Sequence, residues 1–383
     1  MAKTGIAHNI RQSNRSNKLT ASVLILIIFM GYLNLVERPA PAAAQTATRR
    51  VFLPLTASSY RSGAPILLGT YSPAYMGTQA AIDTHLKSLD YWAGKGISIA
   101  GTFLDIHDPY PSYNVRVPYE LLWDNGYTAF VNLMTNRTTA QIAQGVEDGN
   151  IQEVAAAFAY WMWLAQQENQ ERFVFIAPLP EANITNGNSY GGDPASFIAA
   201  YKRIQDIFAS EFAKVKVPFN SISWVFAPNG VDEPGRPVFE TYYPGGDRVD
   251  VVAFSSYNWG YCVHWKYDRW QLGPELYQPF VQRMNALAPG KPIFIAQTAS
   301  TSEYPYPNNY DYAQKSLWFV NVYSYLEGLD GVRGILYFNI DGDCDWSFYK
   351  SGVLQFEGYR QAVSSPAYEY WSPPEVYAGF SQP

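Results

Sequence analysis

The chain has 383 residues, of which 48% are apolar and only 16% charged, enough for a large core and too apolar for wholesale disorder. Its 27 basic and 33 acidic residues leave a net charge of −6, which argues against a nucleic-acid partner held through a basic surface. Aromatic residues are abundant, with 11 Trp, 30 Tyr and 21 Phe. Rings in that number beside so few charges suit core packing, and they also suit stacking on sugars, whose C–H faces are apolar. The length fits one large barrel or two ordinary domains.

Residues 1–18 contain Lys3, Arg11, Arg15 and Lys18 and no acid; an apolar stretch at 19–36 and small residues up to Ala44 follow. That order predicts a signal peptide over 1–44, cleaved after Ala42-Ala43-Ala44. The alternative is an uncleaved membrane tether through residues 19–36, which is near the lower length limit for a bilayer span. Either way the expected location is secreted or cell-surface. Removing residues 1–44 takes five basic residues and one acid, so the remainder carries −10. The two cysteines, Cys262 and Cys344, then stand in a compartment that permits disulfides. A Cys262–Cys344 bridge is expected, with two buried thiols as the alternative. Nothing in their number or spacing supports a metal site.

Residues 45–65 are polar with scattered proline and serine and predict a linker. Beyond them, short apolar runs recur at Ile66–Thr70, Ile97–Leu104, Tyr127–Met134, Phe173–Ala177, Ile222–Phe226, Val249–Ser255, Pro292–Ala296 and Val332–Phe338. Continuous rather than alternating apolar runs predict parallel strands buried on both faces. Helical patterns fall between several of them, at Ile151–Gln167, Ala195–Val215, Glu275–Leu287 and Tyr312–Leu329; no clear helix follows Phe226. Eight such strands, with no glycine-rich phosphate loop after the first, predict an α/β protein with a single (β/α)8 TIM barrel over 66–372. Residues 373–383 are then a C-terminal tail or a cover for the barrel.

Chemistry in such a barrel belongs to the loops at the C-terminal strand ends. Those positions hold Glu181 and Asn183 after the fourth strand, Asn229 after the fifth, and Tyr257 and Trp259 after the sixth. Gln297 follows in the seventh, and Asn339, Asp341, Asp343, Asp345 and Trp346 come after the eighth. A carboxylate ringed by amides and aromatics points to glycosidic bonds, whose hydrolysis needs an acid for the leaving oxygen and a second group to support an oxocarbenium-like carbon. The alternating acids at 341, 343 and 345 read as turn formers or solvated charges.

Several of these strings, in order, resemble the family 26 glycoside hydrolases, retaining barrel enzymes typified by β-mannanases. They are Pro180-Glu181-Ala182-Asn183, Trp224-Val225-Phe226-Ala227-Pro228-Asn229, Tyr243-Pro244-Gly245, Val249-Asp250-Val251-Val252, Lys291 to Gln297, and Phe338-Asn339 with Asp345-Trp346. The resemblance implies a barrel glycosidase acting on a β-linked poly- or oligosaccharide such as mannan, with no cofactor, and a monomer is expected. It makes Glu181 the general acid/base and places Gln297 at the position of the family's nucleophile. Asn183, Phe226, Asn229, Tyr257, Trp259 and Tyr337 are the expected substrate contacts. The chain departs from the family pattern at Pro180, where a histidine is usual, and at Gln297, where a glutamate is. An amide is a poor nucleophile and carries no charge to steady the cationic transition state. Two outcomes stay open: a hydrolase with a replacement carboxylate (Asp341, Glu303 or Asp343) or an assisting substrate group, and a non-catalytic carbohydrate binder.

Overall fold

A computed structural model describes residues 65–184, 190–263, 269–350 and 353–381. The segment expected as signal peptide or tether at 1–44, and the linker up to residue 64, lie outside the described residues.

The eight apolar runs form eight parallel strands: β1 (Ile66–Tyr71), β2 (Ile99–Asp105), β3 (Thr128–Met134), β4 (Val174–Pro178), β5 (Ile222–Phe226), β6 (Val251–Asn258), β7 (Ile293–Ser300) and β8 (Val332–Phe338). They pair in chain order, and Leu67–Tyr71 of β1 runs in parallel register with Gly334–Phe338 of β8, which closes the sheet. The fold is a (β/α)8 TIM barrel. Its helices are α1 (Gln79–Ile82), α2 (Ser88–Ala93), α3 (Pro111–Asp124), α4 (Thr139–Ala143), α5 (Asp148–Gln167), α6 (Pro194–Val215), α7 (Gly273–Leu276), α8 (Gln278–Leu287) and α9 (Tyr312–Leu326). A small hairpin of β9 (Tyr349–Lys350) and β10 (Val353–Leu354), then α10 (Glu357–Val363), β11 (Tyr368–Glu369) and α11 (Pro373–Phe380), complete the described chain.

Local chemistry explains the boundaries. Asp193 caps α6 by accepting the Ser196 N–H at 2.9 Å, with Pro194 pre-set at the first helical position. The single helix expected over 275–287 is instead two, because Pro279 has no N–H to give and its ring crowds the preceding turn. After β5 only a 3-10 turn, Phe239–Tyr242, stands where the other units carry a helix.

Side chains alternate between two apolar layers. Leu67, Ile99, Phe130, Phe175, Val225, Phe294 and Leu336 fill the barrel interior, while Leu68, Val131, Ile176, Phe226, Ile335 and Tyr337 face the helices. The C-terminal stretch packs against the barrel as α11: the Phe380 ring lies 5.3 Å from Phe175 and 5.4 Å from Phe294. This seals the N-terminal end of the barrel with apolar rings, and the amide and phenol groups of the interior stand toward the opposite end.

Two expected sugar contacts are corrected by this alternation. Phe226 and Tyr337 are 1% and 0% exposed and point away from the barrel mouth. Phe226 packs on Phe197 of α6, and Tyr337 stacks 4.3 Å from Phe348. A period of two sends each to the face opposite its inward neighbours, Val225 and Leu336.

Two glycines test how tightly the helical shell is packed. A β-carbon on Gly358 would lie 1.8 Å from the Ser316 carbonyl oxygen, whereas one on Gly149 meets nothing within 4 Å. Gly358→Ala is expected to lower stability by about 1–3 kcal/mol in urea melts. Gly149→Ala is expected to raise it by about 0.4–1 kcal/mol by restricting the unfolded chain.

Candidate active site

An irregularity in β7 aims the central side chain. Phe254 of β6 pairs with Ile295, but Ser255 pairs with Gln297, so Ala296 is an extra residue. Strict alternation from inward Phe294 and Ala296 would turn Gln297 toward the helices. The bulge resets the register and turns it into the mouth, a recognised use of bulges beside active sites. There the Tyr257 hydroxyl donates to Gln297 Oε1 at 2.7 Å, and Gln297 is 7% exposed.

Tyr71, at the end of β1, shares this centre. Its hydroxyl accepts from Asn132 Nδ2 at 2.9 Å. Burial raises the Tyr71 pKa; the Asn132 hydrogen bond opposes this, the Glu181 carboxylate adds to it, and Gln297 opposes it. Burial also raises Tyr257, with further contributions from Glu181 and Tyr71. Both phenols therefore stay protonated at neutral pH, Tyr257 donating to Gln297 and Tyr71 accepting from Asn132. Glu181 and Gln297 thus bear on one hydroxyl, that of Tyr71. Among the described carboxylates, Glu181 is the one whose charge acts on both Tyr71 and Tyr257.

Glu181 is held by an unusual backbone. Leu179 and Glu181 have φ of 54° and 59°, a left-handed conformation that costs non-glycine residues about 1–3 kcal/mol each. The Glu181 N–H donates to the Ala227 carbonyl at 2.8 Å, tying the loop to the end of β5. Asn183 completes the tie. Its Nδ2 donates to the carbonyls of Asn229 and Val231 at 2.9 and 3.3 Å, and its Oδ1 accepts the Asn229 N–H at 2.7 Å. Asn183 is buried, with its amide engaged by backbone. The structure therefore places it as a clamp between the loops after β4 and β5, not as a group facing the mouth.

Aromatic rings surround the centre in a continuous arc. Phe103 lies 5.3 Å from Tyr71, Tyr71 lies 5.7 Å from Phe338, and Phe338 lies 5.9 Å from Tyr257. Tyr257 continues to Trp259 at 5.8 Å and to Trp346 at 5.5 Å, and the two indoles meet edge to face at 5.1 Å. Rings so placed, beside an acid and fixed hydrogen-bond donors, can cover the apolar face of a sugar while the polar groups reach its edges.

The wall carrying Trp259 and Trp346 is cross-linked from behind. Cys262 and Cys344 form a disulfide with their Cα atoms 5.9 Å apart. Lys315 of α9 is fully buried and donates to the carbonyls of Asp345, Trp346 and Ser347 at 2.7, 3.0 and 3.4 Å. Tyr337 also donates to the Trp346 carbonyl, at 2.7 Å, so this outward residue supports the wall it was expected to join. Burial works against ionisation of Asp345, but Lys315, Lys350 and hydrogen bonds from Ser302 outweigh it and lower its pKa.

The carboxylates suggested as replacement nucleophiles are committed elsewhere or point to solvent. Glu303 is buried and accepts the Asn308 N–H at 2.6 Å. Asp341 accepts the Ser347 N–H at 2.7 Å and lies 3.5 Å from Lys350, and Asp343 is exposed. Tyr71, Asn132, Phe103 and Phe338 were missed from the sequence as site residues. Asn132 alone carried a signal, a lone amide inside an apolar run.

No family model and no curated protein matches the sequence. Solved structures match in fold. A ruminal GH26 endo-β-1,4-mannanase has a TM-score of 0.52 at 15% identity, covering 80% of this chain and 64% of its own. The catalytic domain of a GH26 endo-β-1,4-mannanase from Bacillus sp. JAMB-750 has a TM-score of 0.56 at 11% identity, covering 84% and 91%. A monomeric β-xylosidase from Caulobacter crescentus CB15 has a TM-score of 0.51 at 14% identity, covering 79% and 69%. The chain thus spans less than two thirds of the ruminal mannanase. Its barrel is of the kind that family 26 mannanases use.

The buried lysine behind the wall gives a pH signature. Burial carries its pKa down from 10.5 to about 7, with Asp345 opposing, Lys350 adding and Asp341 opposing. Between those values the unfolded chain holds a proton that the folded chain lacks, so this group's contribution to stability rises with pH through that window. Below about 7 the cost of the buried ammonium is present in full. Denaturant melts of Lys315→Met beside the unmodified chain should show the latter gaining relative stability from pH 7 to 10; a pH-independent difference would contradict this.

Proposed function

We propose that this is an exported, glycoside hydrolase-like barrel that holds a β-linked polysaccharide, mannan foremost, across the mouth around Glu181 and Gln297. The observation that carries the reading is the Tyr257-to-Gln297 hydrogen bond of 2.7 Å, set beside a carboxylate and inside an arc of aromatic rings. Two-step cleavage needs a second carboxyl about 5–5.5 Å from the acid, to bond the anomeric carbon while the acid protonates the leaving oxygen. At position 297 an amide is neutral and a poor nucleophile. With Glu303 and Asp341 hydrogen-bonded elsewhere, the site is suited to keeping a sugar chain rather than cutting it.

A second reading, hydrolysis led by Glu181, is favoured by one observation. The Glu181 backbone is strained at φ 59°, and such strain gathers where a side chain has work to do. Glu181 would then be the acid, and water or a group on the substrate would supply the nucleophile.

Calorimetric titration and sugar-release assays with mannan, β-glucan, xylan and amino-sugar oligomers separate the two. On the binding reading the chain shows saturable binding without release. Gln297→Glu then gains hydrolysis on the order of 10²–10³-fold above background, and Glu181→Gln in that variant abolishes it. Release by the unmodified chain that disappears with Glu181→Gln selects the second reading. Neither binding nor release across the panel ends both.

A further inference from the structure

Seven of the ten exposed aromatic side chains among the described residues lie at the end of the barrel where Gln297 stands, on strand ends, the loops after them or the first turn of the next helix. Four of the seven come from neighbouring segments. Tyr75 follows β1, Phe103 stands on the inward face of β2, Tyr110 follows β2, and Tyr113 lies in the first turn of α3. Their exposures are 53%, 45%, 70% and 57%. Isolated exposed tyrosines need no explanation, but a cluster at a mouth does.

The backbone beneath the cluster is tied by a hydrogen-bond network. The Tyr75 hydroxyl donates to Asn114 Oδ1 at 3.0 Å. Asn114 Nδ2 donates to both oxygens of Asp108 at 2.9 and 2.8 Å. Asp108 Oδ1 in turn accepts the Tyr110 N–H at 2.7 Å. One carboxylate and one amide thus fix the loop after β2 and the start of α3 against the loop after β1. Holding rings in place before a ligand arrives reduces the ordering cost of binding.

The cluster also connects to the centre. Phe103 is 5.3 Å from Tyr71, and Tyr71 is the hydroxyl on which Glu181 and Gln297 both act. An apolar path therefore runs from the Gln297 centre through Tyr71 to Phe103, and Tyr110 and Tyr113 follow Phe103 in the chain at the same end of the barrel. Its edges carry phenol, amide and carboxylate groups, the combination that suits a pyranose, with apolar faces and hydroxyl edges.

We propose that Tyr75, Tyr110 and Tyr113 form a distal platform that takes further sugar units of the β-linked polysaccharide occupying the Gln297 centre. This rests on the binding function proposed above. It adds that the protein reads the length of its ligand, engaging long chains at two connected places and short ones at the centre alone.

The test is titration of the full chain with manno-oligosaccharides of increasing length, and with the gluco- and xylo-series if manno-oligomers do not bind. Affinity is expected to climb with length past the point where the centre is filled. In Tyr110→Ala/Tyr113→Ala the climb should disappear, a loss on the order of tenfold for the longest oligomers, while the shortest binding oligomer is unaffected. Tyr110→Trp/Tyr113→Trp should restore the climb, which a merely structural role would not do. Equal length dependence in the alanine variant and the unmodified chain overturns the platform and leaves the central site standing. Failure of every oligomer to bind the unmodified chain overturns both.

Discussion

Closing eight parallel strands on themselves buries both faces of every strand, and that constraint decides where polar chemistry can stand. Within the ring, Phe130, Phe175 and Phe294 fill the interior, and Phe380 closes the lower end. A polar side chain placed there would lose its water without finding a partner, at a cost of about 1–3 kcal/mol or more. Asn132, Gln297 and the hydroxyls of Tyr71 and Tyr257 occur one step above that layer, where each has a partner in the others or faces the mouth. Two small hydroxyls, Thr128 and Ser223, are buried lower in the ring without a partner among the described residues, but the amides and phenols of the interior stand at the mouth.

The electrostatics of that end follow from one atom. A glutamate at position 297 would place a second negative charge beside phenols already raised by burial and by Glu181, and two close carboxylates oppose each other's ionisation. An amide of the same shape can still accept from Tyr257 and adds no such repulsion. With Gln297 in place the centre is well packed and largely neutral around Glu181.

The aromatic wall depends on supports that stand behind it. The disulfide joins the loops that carry Trp259 and Trp346, Lys315 gathers three carbonyls of the second loop, and Tyr337 adds a bond to one of them. Asp345 anchors the same loop to Thr301 and Ser302, both at 2.7 Å. Loops without a helix or strand of their own need such ties if their side chains are to hold a fixed stacking geometry. The face toward the mouth is aromatic, and the face behind it is ionic and covalent.

The fold class was legible because continuous apolar runs of five to eight residues have few other uses, and eight in succession imply one closed sheet. Glu181, Gln297, Tyr257 and Trp259 were legible because they end such runs, where barrel chemistry sits. Phe226 and Tyr337 were misread for the same reason: position along a strand says nothing of which face a residue takes until the register is known. Tyr71 and Phe103 look like ordinary core residues in the sequence. The sequence by itself determined the strands, their order and the residues at their ends, since these follow from local hydrophobic runs and chain connectivity. Tertiary structure alone decided which of those residues face inward, because one extra residue in β7 reverses the alternation beyond it, and that bulge exists only in the pairing between strands.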